Sequence, residues 1–467
     1  MTPQPDPKTL PAEMAALRPR LGEVVELLDR KADHSSVLLS SRHGMNITVE
    51  SEEESISELP RSAGMVASSL AGGTLFEKSV AGFHPDRLMD AGNDLAGSLP
   101  GRSNGSPAGS AVPQDFFTLA EIPVSSLTLQ DKLERCRDLR QRLASQDQRI
   151  VNARVLYTEY GEASVYRSRT SDLAQAIQRV RLQVMVILAD GGEVRWNIKS
   201  KGGSGGWEYL DYSDEELDTL VRSAARLFSS ERIEPGEYTI VSGPGVSGVL
   251  AHESFGHGVE TDLFPKERAR SYDYLGKRVG SDLVSIYDDP SMPGGYSSYF
   301  FDDEGMLSSP TAIVEDGIFR SGISDRVSAT SLGLKRTANG RRQDYTRKPY
   351  ARMSNTFFGP GTTSLEDMLA QVDQGVYLDR WMNGMEDPMG WGIQITCLFG
   401  QEIRNGRLTE RVFAPVSISG YVPEVLGTIS AATPEVQMDQ GVCGKGHKEY
   451  VVNSSGGPHL LLRANLG

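Results

Sequence analysis

Residues 237–262 read EYTIVSGPGVSGVLAHESFGHGVETD, and within them His252-Glu253-x-x-x-His257 is the pattern most suited to chemistry. Imidazole is a common zinc ligand, and a carboxylate beside the first ligand can serve as general base toward bound water. The familiar helical version spaces its histidines i and i+4, on one face. Here the spacing is i and i+5, which turns the second ring roughly 140° from the first on an ideal helix. A helix end or bulge between them restores convergence. Gly256 and Gly258 flank His257, where such a break would fall. Two hydrogen-bonded structural histidines fit the same spacing, so the pair alone leaves both readings open.

A catalytic zinc takes three protein ligands and keeps one open position. Candidates for the third ligand are Glu260, Asp262, Cys443, His447 and His459. Cys443 stands out because DQGVCGKGHKEY is glycine-rich and has no apolar period to explain a core thiol. Lys445, and His447 when protonated, would lower its pKa toward the thiolate a metal requires. Cys443 paired with His447 as a nucleophile lacks an accompanying acyl-transfer motif. Cys136 and Cys397 fall on apolar stripes and read as core thiols.

A second motif overlaps the first. Gly243, Gly245 and Gly248 form G-x-G-x-x-G after the strand-like EYTIV, with Glu260 and Asp262 near the distance of a ribose-binding acid. Yet HESFGHGVETD contains no second apolar strand, LFPKERARSYDY is polar, and no βαβ alternation flanks the motif. A tight strand-to-helix turn accounts for the glycines. A dinucleotide-dependent oxidoreductase remains the alternative they allow.

The elements that must position these residues are α+β in pattern. The chain has 467 residues, 62 acidic and 48 basic, for a net charge of −14. That balance argues against a general nucleic-acid or membrane-surface binder. No apolar run is long enough for a transmembrane helix, and the N-terminus lacks the basic-then-apolar pattern of a signal peptide. Three cysteines, an odd count, suggest a reducing compartment, hence the cytoplasm.

Met14 to Leu28 has helical spacing, and SSVLLSS and MNITVES read as two strands around a His43-Gly44 turn. Residues 97–114 read as an exposed loop. Capping boxes at Thr128/Asp131 and Ser213/Glu216 open two helices, with strands over 154–166 and 180–198 between them. A short helix is expected from Ser364 to Val372, and a hairpin over 390–415 turns at Asn405-Gly406. The organisation is an N-terminal mixed α/β domain, 1–231, and a strand-rich C-terminal domain, 232–467, that carries the metal site.

On AHESFGHGVETD (251–262), IYDDPSMPGGYSSYFFDDEG (286–305), IVEDGIFRSGISDRVSATSLGL (313–334), ARMSNTFFGPG (351–361) and GVCGKG (441–446), the sequence resembles the TldD/PmbA proteins, specifically the metal-bearing TldD-like branch. The N-terminal half is similar only in general layout. The resemblance implies a metalloprotease with one zinc per chain on His252, His257 and Cys443, and Glu253 as catalytic base. It implies a homodimer or a heterodimer with a paralogue lacking the motif, and an enclosed cavity reached by unfolded or flexible peptides. After Cys443-Gly444-Lys445 the family tends to continue with a Gln-containing segment, whereas GHKEYVVNSSGGPHLLLR follows here.

Three further groups bear on function. Asp302, Asp303 and Glu304 read as a solvated turn ending at Gly305, ahead of a second metal site or a clamp for a substrate amine. Asn339, Arg341 and Arg342, followed by RKPYARMSN (347–355), form a local basic patch, either a clamp for a substrate carboxylate or backbone or an exposed loop. Asn355 and Thr356 suit either an extended peptide or a strand end. The expected function is a zinc-dependent peptidase acting on unfolded peptides. The alternatives are the oxidoreductase above and a non-catalytic peptide-binding subunit whose structural zinc takes a fourth protein ligand.

Overall fold

The computed structural model describes residues 10–101, 110–446 and 448–467. Met14, Leu17, Leu21, Val24, Val25 and Leu28 are all buried on the helices Ala12–Leu17 and Leu21–Asp29. With the helix Pro85–Ser98 they pack on one part of an eight-stranded sheet, while Leu129–Ala144 and Asp214–Arg226 pack on another. Both of the latter start at reciprocal capping boxes, Thr128 with Asp131 and Ser213 with Glu216, each cap stabilising its helix by about 1 kcal/mol. The sheet runs Thr74–Ala81, Ser62–Ala71, His34–Val49, Ile150–Ser168, Asp172–Asp190, Pro113–Phe117. Glu54–Glu58 joins His34–Val49, and Glu193–Ser204 joins Asp172–Asp190.

Three local expectations change. His43-Gly44 is no turn: one strand runs from His34 to Val49, paired along Ile150–Ser168 with Gly44 opposite Tyr160. A Cβ on Gly44 would lie 2.5 Å from that of Tyr160, so the glycine permits close strand contact rather than a reversal. The strand expected over 180–198 is instead two, reversed at Gly191-Gly192, whose φ values of 56° and 85° suit a tight hairpin. The loop expected over 97–114 is shorter, because the preceding helix reaches Ser98 and a strand begins at Pro113. Its centre, 102–109, lies outside the described residues.

The C-terminal half is built from two larger sheets with a helix between them, and a two-stranded ribbon, Gly340–Arg341 with Tyr350–Ala351. In the first, Gln374–Asp387, Gly236–Ser242, Leu460–Leu466, Val416–Tyr421 and Gly392–Arg404 pair in that order, and the last pairs back to the first, closing a barrel. Arg407–Phe413 extends it through the expected Asn405-Gly406 hairpin, and Ser364 caps the short helix Leu365–Ala370. The second sheet runs Ile318–Phe319, Thr311–Glu315, Ile286–Asp288, Asn355–Phe358, Lys448–Gly457, Gln437–Lys445. The chain is thus α+β, with a mixed N-terminal layer and a strand-rich C-terminal half. No helix among the described residues is long and apolar enough to cross a membrane.

The helix Pro244–Phe255 lies between the two sheets, and every residue from Val246 to Phe255 is buried. A helix buried all round needs small residues where backbones meet. A Cβ on Gly248 would lie 2.6 Å from the Gly456 nitrogen and 2.8 Å from its Cα. Gly248 therefore seats this helix against Lys448–Gly457, while Gly243 and Gly245 face Leu378-Asp379 and Asp439. After the helix the chain enters 3-10 turns at His257–Val259 and Thr261–Lys266 rather than a strand, so the dinucleotide fingerprint lacks its βαβ frame.

Gly248→Ala is expected to push the helix off Ser455-Gly456 and cost about 1–3 kcal/mol, the usual range for overpacking. A thermal melt should show a midpoint lowered by several degrees. An unchanged midpoint would contradict this packing.

Candidate metal centre

His252 occupies the last turn of the buried helix, which ends at Phe255. Gly256 takes φ −103° and ψ −81°, and His257 begins a 3-10 turn. This break cancels the divergence an i, i+5 spacing has on a continuous helix: the two imidazoles meet edge to face with ring centres 5.0 Å apart. A Cβ at Gly256 would lie 2.1 Å from Met353 Sδ, so the break depends on glycine. Cys443 arrives on the edge strand Gln437–Lys445, held antiparallel by Lys448–Gly457. Gln440 ties that strand to the N-terminal sheet through Ser200 and the Gly202 carbonyl. One ligand atom from each of His252, His257 and Cys443 lies within 4.8 Å of the other two. Among the described residues these form the one such group of metal-ligating side chains.

The electrostatics favour a charged thiol. Burial pushes the Cys443 thiol up, but His252 and His257 overcome this and hold it well below the ordinary range. His257 Nε2 lies 3.0 Å from Cys443 Sγ. Burial alone would lower His257; Cys443 and Glu260 hold it well above an ordinary imidazole instead. The other two thiols are the core thiols expected, with burial pushing Cys136 up to about 12 and Cys397 higher still.

The remaining candidates for the third ligand stand elsewhere. Glu260 is bound by Arg352 Nε and Lys445 Nζ, each at 2.9 Å, behind His257. Burial pushes its carboxyl up, but Lys445 and Arg352 hold it well below the usual range. Asp262 Oδ1 accepts from Lys445 Nζ at 2.6 Å, and burial lifts its carboxyl to about 6 despite that lysine. His459 Nε2 faces the Tyr377 hydroxyl at 3.3 Å. His447 lies outside the described residues. Lys445, expected beside the thiol, is committed to these two acids, and the cation on the sulfur is Arg352, whose Nη2 donates to Sγ at 3.2 Å. No pattern in ARMSN marked Arg352 for that place.

Two nitrogens and one thiolate form a donor set that suits zinc. An orphaned atom supports the fit. Asn453, buried on Lys448–Gly457, places Nδ2 3.2 Å from His252 Nδ1 and leaves Oδ1 buried without a partner. With the amide turned over, Oδ1 accepts from Nδ1–H and the His252 Nε2 lone pair is free for a cation.

A cleft of about 240 Å³ opens at these residues, lined also by Trp381, Asn383, Asp439, Val442 and Ser455. Glu253 is buried behind the lining residue Gly384, its Oε1 2.6 Å from where a Cβ on that glycine would stand. Glu386, unmarked in the sequence, accepts from the Gly258 N–H at 3.0 Å. Burial pushes its carboxyl well above the usual range; His257 opposes that shift and Glu253 and Glu260 add to it.

The acidic and basic groups read as surface features are buried structure. Asp302 accepts from the Glu304, Met306 and Gly340 N–H groups, and Glu304 from that of Arg326. Arg341 donates to the Met353 and Val452 carbonyls, and Arg342 to Glu77 and the Arg347 carbonyl. Asn339 donates to Asp288, while Asn355 and Thr356 are committed to Asp289, Ser298 and Asp288. Their hydrogen-bonding capacity holds the loops beside the centre, which is why they are buried.

A thiolate that persists below the ordinary thiol range alkylates there. In chelator-treated protein, iodoacetamide at pH 6 is expected to label Cys443 and spare Cys136 and Cys397, and added zinc to protect Cys443. A Cys443 rate that falls tenfold per pH unit below 8, as for a free thiol, would contradict this.

Residues 235–465 match the PmbA/TldA metallopeptidase C-terminal domain, and residues 122–228 its central domain. A metalloprotease of Methanothermobacter thermautotrophicus is 32% identical, over 79% of this chain and 80% of that protein. A zinc metalloprotease TldD homolog of Saccharolobus solfataricus is 31% identical, over 66% of this chain and 69% of its own. Among solved structures, TldE from Thermococcus kodakarensis superposes with a TM-score of 0.71 at 16% identity, over 98% of this chain and 100% of that one. A Thermotoga maritima protein reaches 0.77 at 17% identity, over 96% and 99%. At these identities the two structural likenesses are of fold alone. The sequence matches, together with a fold that brings His252, His257 and Cys443 to one cleft, make the chain a member of the TldD/PmbA metallopeptidase family.

Proposed function

We propose that the chain is a zinc-dependent peptidase that cleaves unfolded or flexible peptides at this cleft, with Glu253 as general base. The convergence of His252, His257 and Cys443 carries the reading, because three donors leave a fourth direction for water or substrate. The zinc metalloprotease among the relatives supports the choice of metal. Bound there, zinc lowers the pKa of a water ligand and polarises a carbonyl oxygen.

The remaining roles fall to the chain itself. Glu253 follows His252 directly, so its side chain leaves the helix about 100° from the first ligand, beside the centre rather than on it. In this role it takes the proton of the attacking water and returns it to the leaving amine. Burial pushes the Glu386 carboxyl well above the usual range, which disfavours a second negative charge beside it. The dimer implied by the resemblance, with itself or with a paralogue lacking the motif, belongs to the same proposal and is tested by light scattering of the purified chain.

The purified protein is expected to hold one zinc, to cut an unstructured peptide, to spare a stable globular protein at matched concentration, and to lose activity to a chelator. Glu253→Gln is expected to keep zinc while activity falls by about 10²–10⁴-fold, the usual loss with a general base. Equal cleavage of folded and unfolded chains would contradict the substrate class. Activity within a few-fold of the parent would demote Glu253 to a structural carboxylate, and loss of zinc would make it a ligand.

A further inference from the structure

A thiolate ligand brings a negative charge that a third imidazole does not, and so weakens the metal as a Lewis acid unless neighbouring groups draw that charge away. One side chain is built into this position. Arg352 is 1% exposed, and its guanidinium is held on several sides. Nε donates to Glu260 Oε1 at 2.9 Å, Nη1 to the Glu449 carbonyl, and Nη2 to both the carbonyl (3.1 Å) and the sulfur (3.2 Å) of Cys443. Its backbone is clamped as well: the Arg352 N–H donates to the Asn339 carbonyl, and the Arg352 carbonyl accepts from Asn339 Nδ2. Lys445 holds the other oxygen of Glu260 at 2.9 Å, so the carboxylate that anchors the fork is itself fixed.

We propose that Arg352 is a positioning residue that tunes the metal through the sulfur: its N–H···S bond lowers the electron donation of the Cys443 thiolate. Hydrogen bonds to ligating sulfur are a general means of adjusting a metal's electronic properties, and a charged donor makes the strongest of them. The fork also fixes the direction of Sγ, because the same Nη2 binds the carbonyl of the residue that carries the sulfur. Glu260 completes the arrangement from the other side, facing His257 Nδ1 at 3.6 Å. One ion pair thus backs two of the three ligands. This inference rests on the zinc-site reading above.

Cobalt(II) in place of zinc gives a readout independent of activity. The parent protein is expected to show a thiolate-to-cobalt charge-transfer band in the near ultraviolet. Removing the N–H···S bond raises the energy of the sulfur lone pair, so in Arg352→Met the band is expected at longer wavelength. Arg352→Lys, which keeps the charge but not the fork, is expected between the two. Glu260 keeps Lys445 as partner in both variants, and far-ultraviolet circular dichroism verifies the fold. If Arg352→Met does not fold, the lysine variant decides by the same shift. An identical band position in the parent and every folded variant would overturn the role of Arg352. Absence of the band from the cobalt-loaded parent would instead overturn Cys443 as a ligand, which separates the two failures.

Discussion

Charge buried away from water must be cancelled where it stands, and that constraint organises everything around Cys443. The thiolate faces His257 and Arg352; Glu260 faces His257, Arg352 and Lys445; Asp262 takes the remaining reach of Lys445. These residues come from the turn after the buried helix, the segment following Tyr350–Ala351, and the edge strand Gln437–Lys445. Pairing their charges pins three distant stretches of chain to one point. Removing one partner of such a buried pair generally costs about 3–5 kcal/mol, because the other charge is left uncompensated. The three candidate ligands are therefore placed by their charged neighbours as much as by the sheets that carry them.

A second polar layer supports the first. Asp288 accepts from the Ser354 N–H and hydroxyl, from Asn339 and from Thr356, fixing the segment on either side of Met353. Met353 in turn closes on Gly256, where the helix breaks between the two histidines. The Gln175 amide joins the N-terminal sheet to Phe300 and Phe301, and Arg179 reaches the Tyr296 and Ser298 carbonyls. The N-terminal half thus buttresses the loops that present the centre.

Legibility in the sequence followed the range of the physics. Local signals survived: the two capping boxes and the Asn405-Gly406 hairpin formed as read, and the apolar period from Met14 to Leu28 is buried on two helices joined by a 3-10 turn at Arg18–Arg20 rather than on one. The glycines around His257 carried the break that brings the imidazoles together. Glycine signals were misread where the reason was non-local. Gly44 serves a strand more than a hundred residues away, and Gly248 serves the strand at Gly456. Charged side chains fared worst. Asp302 and Glu304 looked exposed, and Arg341 and Arg342 stood between a substrate clamp and an exposed loop, because nothing local shows that distant backbone groups will bury and satisfy them. Arg352 showed only as part of a basic patch, and Asn453 and Glu386 were invisible, for the same reason. Their partners are Cys443, His252 and the Gly258 N–H, each in another segment.

X-ray absorption at the zinc edge tests the central claim most directly, since it counts donor types without regard to activity. For the zinc-loaded protein this account predicts one sulfur at about 2.3 Å, two imidazole nitrogens at about 2.0–2.1 Å and one light non-imidazole donor. A shell without sulfur, or one with a third imidazole closing the fourth position, would contradict an open centre built from His252, His257 and Cys443.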